Sequence, residues 1–248
     1  MFLRAQSHVQ AKLRPSVRIR GLGATALPGS AKGCPLGKDE DVILRPGTPA
    51  DVERMTALHF LCFEPRDHLA TLLGRRFIRD MYAWFLSSDK TFSYCAWLSH
   101  ELVGFSTVCL GPYHRLLFRQ KRGSVILGLL AHPWLLFRPD VVKRLLLCRS
   151  RSNSVDDFLA AHPDAAIYAM MAIRTDRRGT GLNRRLNEIV VRECRVRGWN
   201  KLLAVVYKDN IASRKSSEKS GFRLSPLSAG SDDKVVYLLD LGAAPVEF

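Results

Sequence analysis

The loop from Arg178 to Asn183 has the residue types in this chain best suited to bind an anionic group. It follows an uninterrupted apolar run, Ala165 to Ile173, and precedes an amphipathic stretch, Arg184 to Arg197. A glycine-rich turn between a strand and a helix exposes several backbone N–H groups at the positive end of the helix dipole. Gly179 and Gly181 would let phosphate oxygens approach the backbone without a Cβ in the way. The pattern therefore predicts a pyrophosphate-binding loop.

Two apolar runs joined by a helix predict the structure that positions this loop. Apolar residues recur at helical spacing after the loop, at Leu186, Ile189, Val190 and Cys194. Gly198 stands where a helix C-cap belongs, and a second apolar run, Leu202 to Val206, follows at once. Apolar runs on both sides of a helix are typical of a buried parallel βαβ unit. A shorter helix then follows, with Asp209 or Asn210 as its cap and Gly221 at its end.

These segments together resemble the GNAT superfamily of acyl-CoA-dependent N-acetyltransferases. The pyrophosphate loop of that family reads Arg/Gln-x-x-Gly-x-Gly/Ala, and its three fixed positions are occupied here by Arg178, Gly181 and Asn183. Asn183 departs from the pattern. The family's later stretch, Asn-x-x-Ala/Ser-x-x-x-Tyr-x-x-x-Gly-Phe, is matched at Asn210, Ser213, Gly221 and Phe222, with Ser217 in place of the Tyr. The resemblance is strong over residues 167–222 and looser over 42–241.

The resemblance implies an α/β fold in which a mixed central sheet, flanked by helices, is splayed between its fourth and fifth strands. The upstream pattern agrees with the order strand, helix, helix, strand, strand. The predicted elements are a strand over 42–45, a helix beginning near Thr48 to Asp51, a second helix over 73–85, and a hairpin over 91–98 and 102–109. A helical insertion, residues 112–160, separates the third strand from the fourth.

The cofactor site follows from the same resemblance. The acyl donor would be acetyl-CoA, with its pantetheine between the splayed strands and its pyrophosphate on the glycine-rich loop. The cofactor-binding residues expected on this basis are Met171, Ile173, Arg178, Gly179, Thr180, Gly181, Leu182, Asn183 and Asn210. No metal is expected, because the chain has no Cys-x-x-Cys pair.

Three residues are candidates for the proton transfers that amide formation requires. An attacking amine must lose a proton, and the leaving thiolate takes one. Ser217 lies where the family often has an acidic Tyr, and Tyr168 on the fourth strand offers a second hydroxyl, although a buried strand Tyr is typical of a core. Glu64 is the candidate base, with His68 and Asp164 as alternatives, whereas His162 is expected on a loop surface.

The charge of the chain is strongly positive, with a formal net value of +15. Residues 1–38 contain no acid and are rich in Gly, Pro, Ser and Ala, so residues 1–40 are predicted to form a disordered basic extension before a domain over 41–245. An organelle transit peptide and a wrongly chosen start codon are alternative interpretations.

The six scattered cysteines are interpreted as reduced thiols, and we expect a cytoplasmic protein without a membrane-spanning helix.

The insertion mixes apolar residues with many cations, which leaves three interpretations open. The first is a helical lid with a solvated basic face, and the second is a lid that binds the acceptor. The third is a surface that contacts anionic lipid, which would make the chain a peripheral membrane protein. The function predicted first is acetyl transfer from acetyl-CoA to a small amine. The alternatives are a membrane-surface acyltransferase acting on a lipid-linked or long-chain substrate and a non-catalytic CoA-binding domain. No specific nucleic-acid partner is expected, and both a monomer and a homodimer fit the sequence.

Overall fold

A seven-stranded sheet lies at the centre of the protein, in the order β1-β2-β3-β4-β5-β7-β6. Neighbouring strands are antiparallel except for β4 and β5, which are parallel, so the predicted mixed sheet is confirmed. The strands are β1 (Val42–Pro46), β2 (Thr91–Leu98), β3 (Glu101–Leu110), β4 (Ala165–Ile173), β5 (Lys201–Tyr207), β6 (Arg223–Ser225) and β7 (Lys234–Asp240). The computed structural model describes residues 41–63, 69–139, 142, 154–227 and 233–242, and the predicted extension over 1–40 lies outside them.

Helices cover both faces of the sheet. They are α1 (Val52–Cys62), α2 (Leu69–Leu72), α3 (Gly74–Ser87), α4 (Tyr113–Gln120), α5 (Arg122–Ala131), α6 (Ser154–Ala161), α7 (Leu182–Val196) and α8 (Ile211–Lys219). Single 3₁₀ turns occur at Pro49–Asp51, Pro133–Phe137 and Thr175–Arg177. None of the helices in the described ranges combines the length and the apolar character that crossing a bilayer requires.

The two faces of the sheet carry separate apolar layers. On one face, α1 and α3 contribute an apolar stripe that includes Phe77, Tyr82 and Phe85, which pack near Phe105 of β3. On the other face, α7 packs its buried stripe mainly on β2, β3 and β4. His59 of α1 is fully buried. Its two ring nitrogens are hydrogen-bonded to Tyr82 Oη of α3 at 2.8 Å and to Thr71 Oγ1 of α2 at 2.9 Å.

The predicted start of the first helix is formed by a buried carboxylate. Asp51 accepts hydrogen bonds from the Thr48 N–H at 2.8 Å and from both terminal nitrogens of Arg45 at 2.7 and 2.8 Å. Its side chain is 1% exposed, whereas that of Arg45 is 31% exposed. This ion pair joins the end of β1 to the turn that leads into α1.

The described part of the insertion packs along α3 as helices, as predicted. Trp84 Nε1 donates to Gln120 Oε1 at 2.6 Å, and the Ser124 hydroxyl donates to Asp80 at 2.6 Å. Gly128 makes the closest approach, because a Cβ at this position would lie 2.7 Å from the carbonyl oxygen of Leu73. The insertion therefore continues the α1–α3 layer.

Gly128→Ala is expected to destabilise this packing by about 1–3 kcal/mol, because the backbone at Leu73, just before α3, must move to admit the methyl group. Gly123→Ala in the same helix is the matched control, since a Cβ there meets nothing within 4 Å. The control should be neutral or stabilising, because Ala has the higher helix propensity. Thermal unfolding followed by circular dichroism measures both changes, and equal melting temperatures for the two variants would contradict the close contact.

Candidate functional site

β4 and β5 separate soon after they begin. They pair only at their first residues, Ala165 to Ile167 with Lys201 to Leu203. Beyond that point β4 stays paired with β3, and β5 stays paired with β7, so a gap opens between the two strands. We call this gap, between residues 168–173 and 204–207, the β4–β5 cleft. Its position confirms the predicted splay between the fourth and fifth strands.

The backbone of Met171 and Ile173 faces this cleft. The N–H of Arg174 donates to Val103 O at 2.9 Å, which makes these two residues a hydrogen-bonded pair of the β3–β4 ladder. Hydrogen-bonded pairs alternate along an antiparallel ladder, so Ala172 also bonds to β3. The N–H and C=O groups of Met171 and Ile173 therefore point away from β3, towards the open side of β4.

Two side chains contact the cleft-facing carbonyl of Ile173. Cys62 Sγ, at the end of α1, lies 3.5 Å from Ile173 O, and Arg178 Nε donates to the same oxygen at 3.3 Å. Burial raises the pKa of the Cys62 thiol, and the nearby Arg178 guanidinium offsets part of that rise, so the thiol is neutral at physiological pH. The end of α1 and the glycine-rich loop therefore meet at the end of β4.

A bulge interrupts β4 where the cleft opens. The register with β3 passes from Met170 opposite Thr107 to Tyr168 opposite Val108, so Ala169 is the extra residue. The carbonyl of Ala169 accepts a hydrogen bond of 3.4 Å from the Tyr113 hydroxyl, at the start of α4. The insertion therefore contacts the bulge directly, a contact that no motif in the sequence indicated.

Both glycines of the glycine-rich loop adopt a left-handed backbone conformation. Gly179 has φ 79° and Gly181 has φ 97°, and a Cβ at either position would meet nothing within 4 Å. The Thr180 hydroxyl donates to Arg177 O at 2.8 Å and so fixes the turn between them. Left-handed glycines next to open space leave room for a ligand to approach the backbone.

Helix α7 begins directly after this loop, with Gly181 at its N-cap. The first bond of the helical pattern runs from the Arg185 N–H to Gly181 O at 3.2 Å. The N–H groups of Leu182 and Asn183 precede it and therefore have no acceptor within the helix. Leu182 is fully buried and anchors the turn, so its contribution to a ligand is its backbone rather than its side chain. These groups lie at the positive end of the α7 dipole.

Asn183, which departs from the family pattern, links α7 to α8. Its Nδ2 donates to Ser216 Oγ at 2.8 Å, and its Oδ1 accepts from Asn187 Nδ2 at 3.3 Å. Asn187 also donates to Ser220 Oγ at 3.1 Å and accepts from the Tyr168 hydroxyl at 2.8 Å. Sequence reasoning missed Asn187, although a polar residue one turn after Asn183 in an otherwise apolar stripe was an available signal.

Helix α8 is capped as predicted. The Asn210 side chain accepts from the Ser213 N–H at 3.0 Å, and Gly221 has φ 81° just after the helix. The Ser217 hydroxyl donates to Ser213 O at 3.0 Å, within its own helix. The residue as a whole is half-buried.

Tyr168 lies on the α7 face of β4 at the start of the cleft. Burial, with a smaller contribution from Cys194, raises the pKa of its hydroxyl well above the ordinary value. Asp164 and His162 lie at the opposite end of β4, where Asp164 accepts from Asn200 Nδ2 at 2.9 Å and His162 Nδ1 pairs with Phe158 O at 2.9 Å. The structure thus separates these two residues from the cleft.

The remaining base candidates, Glu64 and His68, lie outside the described residues. Phe63, the last described residue before them, immediately follows Cys62, which reaches Ile173. In the described ranges, no group of three His, Cys, Asp or Glu side chains is placed to hold a metal ion.

Comparison with known proteins gives matches at the level of structure alone. No family model and no curated protein matches the sequence. The GNAT domain of S. lividans PAT is similar over 80% of this chain and 90% of its own, with a TM-score of 0.51 and 15% identity. The PaiA N-acetyltransferase of Thermoplasma acidophilum, solved in complex with coenzyme A, covers 80% of this chain and 98% of its own, with a TM-score of 0.52 and 8% identity.

An acetyltransferase from Thermus thermophilus gives a comparable match. It covers 82% of this chain and 98% of its own, with a TM-score of 0.50 and 18% identity. At these identities the likeness concerns the fold. The chain therefore has the GNAT fold, in agreement with the resemblance seen in the sequence.

Proposed function

We propose that this protein, which has the GNAT fold, transfers an acetyl group from acetyl-CoA to the amine of a small acceptor. One observation carries the proposal. The cleft-facing backbone groups of Met171 and Ile173 and the glycine-rich loop adjoin each other, because Arg178 of the loop bonds to Ile173 O. An extended amide-containing chain could pair with the strand while its phosphates reach the loop.

Each cofactor residue then has a role that fits its position. The N–H groups of Gly179 to Asn183 would donate to pyrophosphate oxygens, with Thr180 holding the turn. Met171 and Ile173 would pair with the pantetheine amides. Arg178 would leave Ile173 O for a phosphate oxygen, where its hydrogen bond is charge-assisted at both ends. Asn210 would act through the cap that fixes the start of α8.

The acceptor nitrogen would attack the thioester carbonyl carbon, the C–S bond would break, and the CoA thiolate would take a proton. Ser217 is the first candidate to assist the thiolate, because it lies at the position of the family's Tyr, is half-buried, and has its hydroxyl bonded to Ser213 O of its own helix. Tyr168 is the second, but its raised pKa and its bond to Asn187 make it a poorer acid. Glu64 is proposed as the base, since it follows in the chain two residues after Cys62, whose thiol contacts Ile173 O at the cleft.

Ser217→Ala is expected to lower kcat by a few fold and to leave the affinity for CoA unchanged, because serine is a weak acid that water can replace. Ser217→Tyr is the paired variant, since it restores the residue usual in the family, and it should raise kcat. Steady-state kinetics and calorimetry with CoA measure the two effects. A Tyr variant slower than the Ala variant would contradict the role of this position.

The proposed activity is tested with a panel of amino sugars, polyamines and amino acids. Thiol release from acetyl-CoA is followed with each amine, and the acetylated product is identified by mass spectrometry. We expect one class of amine to raise thiol release well above the rate with water alone. Tight CoA binding without release for any amine would instead favour the non-catalytic CoA-binding domain. Release only with amphiphilic or lipid-linked amines would favour the membrane-surface enzyme. With the small-amine activity we also propose a cytoplasmic location for the protein.

A further inference from the structure

The insertion presents a large apolar surface to solvent. Leu135 is 2% exposed, and Val125 and Gly128 are also buried, so these three residues hold the segment against the core. The apolar face, as we name it, comprises the residues that project the other way: Ile126, Leu127, Leu130, Trp134, Leu136 and Phe137. Phe137 is 86% exposed and Leu130 is 72% exposed. These side chains therefore add little to the packing of the protein.

The members of the apolar face lie close together in the chain, on α5 and on the turn Pro133–Phe137, and these two elements contact each other. Ile126, Leu127 and Leu130 lie on one side of α5, since residues three and four apart are neighbours on a helix. The turn Pro133–Phe137 follows α5 after one residue. Its central residue, Leu135, is buried, whereas Trp134, Leu136 and Phe137 are exposed. Large apolar side chains exposed together on two contacting elements are typical of an interaction surface rather than of a solvated surface.

The chain segment that carries the apolar face is positively charged. Residues 111–139 contain no Asp or Glu, and the cations nearest to it in the chain are Arg119, Lys121, Arg122 and Arg138. Arg119, Arg122 and Arg138 are exposed. Two copies of this chain joined through the face would bring like charges together, which disfavours self-association. A partner that complements the face must be apolar at its centre and negative around it.

We propose that this face docks the protein on the surface of an anionic lipid bilayer. Helix α5 would lie in the plane of the interface with its outer side chains among the acyl chains, as amphipathic interfacial helices do. Trp134 would sit at the level of the headgroups, where Trp is enriched, and the flanking cations would contact anionic headgroups. Docking of this kind needs no spanning segment, and it is independent of the acyl-transfer activity proposed above.

Vesicle binding of the full chain tests the proposal. Wild type should co-sediment with phosphatidylcholine vesicles containing about one third phosphatidylserine, and about tenfold less with phosphatidylcholine alone. The triple variant Leu130→Gln, Leu136→Gln, Phe137→Gln should lose about tenfold or more of this binding. The matched control is Ile43→Gln, Val196→Gln, Leu224→Gln, which removes three exposed apolar residues elsewhere on the protein and should bind as wild type does. Melting curves establish that both variants fold.

A second variant separates charge from apolar insertion. Arg119→Gln, Lys121→Gln, Arg122→Gln should weaken binding to the anionic vesicles and reduce its dependence on salt. The Trp134 environment gives a direct readout, since vesicles should blue-shift the fluorescence of wild type but not that of a Trp134→Phe variant. Wild type that ignores anionic vesicles, or an apolar triple variant that binds them like wild type, would overturn the proposal. So would sedimentation velocity showing a wild-type dimer that the apolar triple variant abolishes, because a second copy would then cover the face.

Discussion

Gly181→Glu is expected to weaken CoA binding by at least about 100-fold, which corresponds to roughly 3 kcal/mol. Gly181 has φ 97° and open space where a Cβ would lie, so the new side chain would extend into the position proposed for the pyrophosphate. A carboxylate about 4 Å from a phosphate charge costs about 4 kcal/mol near a protein surface. Charge repulsion and the loss of backbone access therefore act in the same direction.

Gly198→Glu is the matched control for this variant. Gly198 also has a left-handed φ, 73°, and also has nothing within 4 Å of an added Cβ, but it follows the opposite end of α7. The two variants share the backbone strain of a non-glycine residue at positive φ and differ in their distance from the loop. Calorimetry with CoA should find near wild-type affinity for Gly198→Glu. Equal affinities in the two variants, whether high or low, would refute the assignment of the loop.

Asp51→Ala is expected to lower the free energy of unfolding by about 2–3 kcal/mol, because it removes one partner of a buried ion pair. The carboxylate is nearly inaccessible and accepts bonds from Arg45 and from the Thr48 N–H, and the substitution leaves both donors without it. Because Arg45 stays partly exposed, water can solvate its guanidinium, which keeps the loss at the lower end of the usual range. Urea denaturation measures the change.

The pH dependence of this loss has a definite sign. Burial by itself would raise the pKa of the Asp51 carboxyl, but hydrogen bonds from Arg45 and Thr48 outweigh burial and hold the pKa below its ordinary value. A folded-state pKa below the unfolded value means that the stabilisation is fully present above the unfolded pKa and is lost as the pH falls through the folded one. Wild type and Asp51→Ala should therefore differ most near neutral pH and converge below about pH 4.

Asp176→Ala is the control for the ion pair. Asp176 bonds to Arg174 at 2.6 Å, yet its side chain is 52% exposed. Solvent screens such a pair, so its loss should leave the urea midpoint nearly unchanged. If both aspartate variants shifted the midpoint equally, burial would not be the reason for the strength of the Arg45–Asp51 pair.

Local patterns in the sequence were sufficient to predict the elements that carry the candidate site. The apolar run became β4 over the predicted residues, a helix follows the glycine-rich loop, and Asn210 caps α8. These features depend on helix and strand periodicity and on caps, which act between residues only a few positions apart. The helix predicted over 73–85 is α3, for the same reason.

The bulge and the polar network beside the cleft could not be predicted in this way. The bulge at Ala169 depends on the register of β4 against β3, and the bonds of Asn187 depend on the docking of α7 against α8 and β4. Asn183 appeared only as a departure from a family pattern, whereas the structure gives its side chain a partner on α8, Ser216. Each of these features depends on contacts between separate elements.

The sequence by itself determined that a strand, a glycine-rich turn and a helix follow one another, because each of these signals is local. Only the tertiary structure decided what surrounds them. The contact of Cys62 with Ile173 joins residues 111 positions apart, and the periodic spacing of apolar residues in a sequence does not predict a contact over such a distance along the chain. The apolar face of the insertion was equally hidden, since alternating cations and apolar residues predict an amphipathic segment without saying which apolar residues pack inwards. Gly128 and Leu135 settle that choice by fitting the surface of α3 and the core, which leaves Phe137 and its neighbours facing outwards.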